Sequence, residues 1–143
     1  MTSQSTSLYV LKALTTEAKS ALQSDAYSFG EFPFRVGRDT RTLSGPVPRE
    51  IAERREHRMQ PNNDLYLREA GPEVYVSREH FLIDCMGGEY RLVDRQSALG
   101  TWVDGRLIGG DRRGGDCRLV PGDIVIPGSY KSGFIFKFLV SEN

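Results

Sequence analysis

Cysteine is scarce in this chain: Cys85 and Cys117 are the only two in 143 residues. That is too few for a disulfide framework. With His57 and His80 they give no zinc-binding spacing, so no metal is expected. Each cysteine lies in or beside an apolar, strand-like run and reads as a reduced, half-buried thiol. A disulfide between the two is not decided by sequence. Long apolar runs are also missing, and none approaches a membrane span. The start, Met1 to Ser7, is polar and has no basic segment followed by an apolar one. This argues against a secretory signal and for a cytoplasmic protein with no membrane partner. Net charge is absent too, with 19 Lys and Arg against 19 Asp and Glu. A general nucleic-acid binder carries a basic excess, so no nucleic-acid partner is expected, although a local basic patch is compatible with neutrality. Finally, there is no nucleophile elbow, Walker loop, zinc-binding helix or paired-acid motif. No enzyme and no cofactor are expected.

What is present is an ordinary globular composition, 38% apolar and 27% charged, at the length of one domain. Residues 1–7 read as a flexible tail and residues 8–143 as the domain. Short strands alternate with turn signals. Tyr9 to Leu14 is a first strand, and Tyr27 to Val36 is one or two more, broken near Gly30 and Pro33. Phe81 to Cys85 and Tyr90 to Val93 flank Gly87-Gly88, which predicts a hairpin. Thr101 to Val103 and Arg106 to Ile108 flank Asp104-Gly105, a dipeptide suited to the positive backbone angles of a tight turn. Leu119-Val120 and Ile124 to Ile126 flank Pro121-Gly122-Asp123. In the last strand Phe134, Phe136 and Phe138 alternate with Ile135, Lys137 and Leu139, a period of two. Frequent turns between strong β signals predict a sandwich or a barrel. One stretch breaks the pattern. Pro48 to Gln60 reads as a charged loop or short helix inserted on the surface, within a segment running from about Thr40 to Asn62.

Four short stretches stand out when taken in order: Phe34 to Asp39 (FRVGRD), Val76 to His80 (VSREH), Asp94 to Thr101 (DRQSALGT) and Val103 to Gly105 (VDG). Each alone is weak. In this order, with strands between them, they resemble the forkhead-associated (FHA) domain family. That family has Gly-Arg after an early strand, Ser-Arg-x-His entering a strand, and Asn-Gly-Thr-x-Val-Asn-Gly before a hairpin. The likeness runs from about Tyr9 to about Val140. It implies an all-β sandwich of about eleven strands with a ligand site made by loops at one end.

The resemblance implies a non-enzymatic module that binds a phosphothreonine-containing protein or peptide, the product of a Ser/Thr kinase pathway. A phosphothreonine carries nearly two negative charges and three strong acceptor oxygens, so its recognition needs cations and donors on a rigid frame. By this likeness Arg38, Ser77 and Arg78 hold the phosphate. Gly37, His80, Gly100 and Thr101 support the site, with Gly37 permitting a turn and His80 bonding the backbone beneath the loop. Tyr75, Ser97, Ala98 and Leu99 are placed to touch the peptide. Two positions depart from the family. Leu99 stands where the family has Asn, and it has no hydrogen-bonding group to offer a peptide backbone. Ala98 stands where a hydroxyl is frequent. The competing reading is therefore an FHA-like scaffold that binds another protein without phosphate, since folds outlast functions. The motif Gly109-Gly110-Asp111-Arg112-Arg113-Gly114-Gly115 lacks a strand-loop-helix context and reads as a plain mobile loop.

Overall fold

A computed structural model describes residues 7–39, 62–69 and 71–142. Eleven strands among them form two facing sheets. In chain order these are β1 (Ser7–Ala13), β2 (Ala26–Phe29), β3 (Phe34–Arg38), β4 (Leu65–Leu67), β5 (Phe81–Met86), β6 (Glu89–Asp94), β7 (Thr101–Val103), β8 (Arg106–Ile108), β9 (Gly115–Leu119), β10 (Ile124–Pro127) and β11 (Phe136–Glu142). One sheet has the order β2-β1-β11-β10-β7-β8, the other β4-β3-β5-β6-β9. The period-two pattern explains the packing. Phe136 and Phe138 of β11, Leu11 of β1, and Val36, Phe81, Ile83 and Leu92 of the other sheet are fully buried between the layers. Burying each such side chain contributes roughly 1.5–3 kcal/mol.

The register puts all the relevant loops at one end. Phe81 opens β5 opposite Asp94, which closes β6. Thr101 opens β7 opposite Pro127, which closes β10. Arg38 closes β3 beside Leu67, in the parallel pairing of β3 with β4. The opposite end is held by aromatic rings. Tyr9 meets Phe32 at 4.6 Å and Tyr90 at 5.6 Å, and Phe29 stacks on Phe34 at 3.9 Å. Edge and offset ring contacts of this kind add roughly 0.5–1.5 kcal/mol beyond burial.

Several boundaries differ from the sequence reading, each for a physical reason. Ser7, expected in the tail, begins β1 opposite Glu142, while residues 1–6 lie outside the described residues. The turn at Pro121-Gly122 precedes β10 as expected, but it joins β9 of one sheet to β10 of the other, and β9 begins at Gly115. Only Cys117 and Leu119 of β9 face inward, and the charged Asp116 and Arg118 leave the strand without an apolar run. β4 is three residues long and gives no signal of its own. The charged loop or short helix expected within Pro48 to Gln60 lies outside the described residues. A helix does occur elsewhere: α1 (Thr16–Leu22) follows β1. Thr15 caps it, accepting from the Ala18 N–H at 3.2 Å, and its hydroxyl donates to the Gly133 carbonyl. Ala18 and Leu22, four apart, are the buried residues of its core-facing side. Cys85 and Cys117 are both free thiols, and burial pushes that of Cys117 up in pKa.

Candidate functional site

The site grows from the end of β3 and three loops. Arg38 closes β3. The segment before β5 brings Tyr75, Ser77 and Arg78, and the β6–β7 loop brings Gln96, Ala98 and Leu99. The β8–β9 loop brings Arg112. Together these residues line one open depression of about 670 Å³.

Hydrogen bonds fix the segment before β5 against its neighbours. The Arg38 N–H donates to the Ser77 carbonyl at 2.9 Å, and Arg38 Nη1 donates to the Val76 carbonyl at 3.2 Å. Among the described residues no carboxylate pairs with Arg38, so most donors of its fork are available to a ligand. Ser77 Oγ accepts from the Ala98 N–H at 3.0 Å. Its own hydroxyl hydrogen is then free to donate outward. Arg78 is exposed and has no ion-pair partner among the described residues. Tyr75 and Val76 donate their N–H groups to the two carboxylate oxygens of Glu69, at 2.9 and 3.0 Å. The Tyr75 hydroxyl donates to Glu73, and that bond raises its pKa.

His80 lies beneath this loop, fully buried. Its Nδ1 accepts from the Ser77 N–H at 2.9 Å, so the ring proton is on Nε2, which donates to the Gly100 carbonyl at 2.7 Å. Burial pushes its pKa below the ordinary histidine value. A neutral imidazole thus ties the Ser77 loop to the start of β7.

The β6–β7 loop is organised by a residue that the sequence reading did not single out. The buried Asp94 accepts from Ser97 Oγ at 2.6 Å, Thr101 Oγ1 at 2.8 Å and the Ser97 N–H at 3.1 Å. Ser97 Oγ in turn accepts from the Gly100 N–H at 2.9 Å. Ser97 was expected to touch the peptide. It is instead fully buried, and its hydroxyl is engaged on both sides within the loop. Gly100 has φ +82°, and a Cβ there would lie 2.9 Å from the Ile108 carbonyl. Ala98 and Leu99 are exposed at the rim of the depression.

Gly37 was expected to permit a turn. It sits inside β3, and its need is for space. A Cβ would collide with the Arg78 carbonyl oxygen and come within 2.6 Å of Asn63 Nδ2. Asn63, another residue the sequence reading missed, is buried and donates from Nδ2 to that same carbonyl at 2.7 Å. Its Oδ1 accepts from Arg95 at 2.6 Å, and Arg95 also reaches the Asn62 carbonyl and Glu79. Arg78 is therefore held by its backbone, which leaves its side chain free. Nothing in the local sequence marks Asn63 for this role, because the contact joins residues 15 apart through a bare glycine.

The loop from Gly109 to Gly115, expected to be plain and mobile, is tied to the site. The Asp111 N–H donates to the Ala98 carbonyl at 2.8 Å and the Arg112 N–H to the Ser97 carbonyl at 3.0 Å. Among the described residues no cluster of His, Cys, Asp and Glu could hold a metal. No described helix is long and apolar enough to cross a membrane.

A family model described as FHA domain matches residues 34–128. No curated protein matches the chain in sequence. Solved structures resemble it in fold. EmbR of Mycobacterium tuberculosis, in complex with a low-affinity phosphopeptide, is 19% identical with a TM-score of 0.58. That match covers 94% of this chain and 24% of EmbR. The FHA domain of CT664 from Chlamydia trachomatis is 18% identical over 92% of this chain and 96% of that one, TM-score 0.56. A structure from a study of phosphothreonine-dependent FHA domain interactions is 19% identical over 93% and 94%, TM-score 0.51. Identities this low bear on the fold alone.

Proposed function

The chain belongs to the FHA domain family, and from that premise we propose that it binds phosphothreonine in a partner protein through Arg38, Ser77 and Arg78. The family and its neighbours support a phosphopeptide-binding module. The single observation that carries the finer reading is convergence. Two guanidiniums without carboxylate partners among the described residues, and one hydroxyl with its hydrogen free, line the same depression. Charge-assisted hydrogen bonds contribute roughly 1.5–3 kcal/mol each, so three groups together span millimolar to micromolar binding. A preference for threonine over serine would require a site for the extra methyl, worth about 0.8 kcal/mol. In this reading the partner is written by a Ser/Thr kinase in the cytoplasm, and the module acts in signalling or in regulating an assembly.

Leu99 favours the second reading, a scaffold that binds without phosphate, because it removes the family's polar peptide anchor. Calorimetry with phosphothreonine peptides and their unphosphorylated counterparts separates the two. Arg38→Ala and Ser77→Ala are each expected to weaken phosphopeptide binding at least tenfold, with the unfolding temperature of Arg38→Ala unchanged. Equal affinity for phosphorylated and unphosphorylated peptides would establish the scaffold instead.

A further inference from the structure

Arg112 was not among the residues expected at the site, yet it lines the depression with Arg38, Arg78 and Arg95. Its position is built. Asp111 and Arg112 both adopt left-handed backbone, φ 53° and 61°, a conformation rare in residues other than glycine. Their N–H groups donate to the carbonyls of Ala98 and Ser97, the two residues before Leu99. The β8–β9 loop is therefore clamped onto the loop that lost its polar anchor. Within it, Asp111 faces Arg113 at 3.7 Å, and Arg113 Nε donates to the Gly110 carbonyl. Arg112 has no such partner among the described residues.

Charge counting then points to the ligand. Among the described residues Glu79 is the only carboxylate lining the depression, and it pairs with Arg95 at 3.3 Å. Arg38, Arg78 and Arg112 remain without a carboxylate among the described residues. One phosphothreonine supplies nearly two negative charges, which leaves a guanidinium unmatched. Guanidinium only donates, and its fork fits a carboxylate in a bidentate manner. It cannot stand in for the accepting half of an asparagine amide, but it can hold an anion.

Resting on the phosphothreonine reading above, we infer that Arg112 is a specificity residue that selects an acidic side chain close to the phosphothreonine, so that the ligand class is an acidic phosphopeptide. The anchor lost at Leu99 is thereby replaced by an ion pair from the neighbouring loop.

The test uses phosphothreonine peptides of one sequence in which Glu, Gln or Lys is placed in turn at each of the three positions on either side. Affinity is read by fluorescence anisotropy for the wild type, Arg112→Ala, Arg112→Glu and Arg113→Ala, each checked for an unchanged melting temperature. At one position the wild type should prefer Glu over Gln by about fivefold, the size of a partly exposed ion pair. Arg112→Ala should bring that ratio close to one, and Arg112→Glu should turn it toward Lys. Arg113→Ala should keep it. A ratio undiminished in Arg112→Ala, or lost equally in Arg113→Ala, overturns the inference. Phosphorylation-dependent binding with no acidic preference at any position sinks this inference alone. Absence of any phosphorylation-dependent binding sinks the phosphothreonine reading with it.

Discussion

His80 shows how much one buried side chain decides at this site. Its two ring nitrogens join the Ser77 amide to the Gly100 carbonyl, and only the neutral ring with its proton on Nε2 satisfies both. Because burial lowers its pKa, the folded chain resists protonation of His80 more than the unfolded chain does. Above about pH 6.5 neither state carries the proton on this ring and the difference is silent. As pH falls below that value the unfolded state takes up the proton first, so stability drops until the folded pKa is reached. The loss is at most about 1.4 kcal/mol per pH unit. Urea titrations from pH 8 to pH 5 on the wild type and His80→Gln should show this component in the wild type only. Equal pH slopes in both proteins would mean that the ring is not held neutral. Asp94 is the acidic counterpart. One carboxylate receives three donors and thereby shapes the loop that offers Ala98 and Leu99. A Ser97 lodged in that network has no hydroxyl to give a peptide.

At the scale of elements, the decisive contact is between the end of β3 and the segment that precedes β5. These two meet at Gly37, where backbone touches backbone. Gly37→Ala is expected to cost about 1–3 kcal/mol by overpacking. The same change should displace Arg78 and weaken phosphopeptide binding, because the Arg78 carbonyl must give way to the new methyl group. Gly30→Ala is the matched control. A Cβ there meets nothing within 4 Å, and its φ lies outside the left-handed region. It should be neutral or slightly stabilising in urea unfolding, through reduced freedom of the unfolded chain. Comparable losses from both substitutions would show that Gly37 matters only as backbone flexibility. The hairpins from β5 to β8, together with β10 and β11, were legible because turn residues and apolar alternation agree there. β4 and α1 were not. A three-residue strand is defined by its partner, and a seven-residue helix by its cap and by two residues that reach the core.

For the whole molecule, zero net charge coexists with a depression that carries three guanidiniums unpaired by carboxylates among the described residues. Electrostatic attraction is therefore local, and at 0.1 M salt it is screened over about 10 Å. Phosphopeptide affinity should fall several-fold between roughly 0.05 and 0.5 M NaCl, as measured by anisotropy. The melting temperature should change little over the same range, since the two sheets are joined by apolar burial rather than by ion pairs. An affinity indifferent to salt would mean that charge does not dominate recognition. The aromatic cluster at the far end completes this division of labour, as one end of the sandwich is closed by rings and the other carries the polar site.

The sequence by itself determined the all-β character and most strands, because period-two burial and turn chemistry are local and show in residue order, and its likeness to the FHA family singled out the sandwich and the motif residues Gly37, Arg38, Ser77, Arg78, His80, Gly100 and Thr101. Only the tertiary structure decided that Ser97 is interior, that Asn63 and Arg95 support Arg78, and that Arg112 reaches the depression. Those facts depend on hydrogen bonds and steric gaps between segments far apart in the chain, and such contacts exist only once the two sheets have packed.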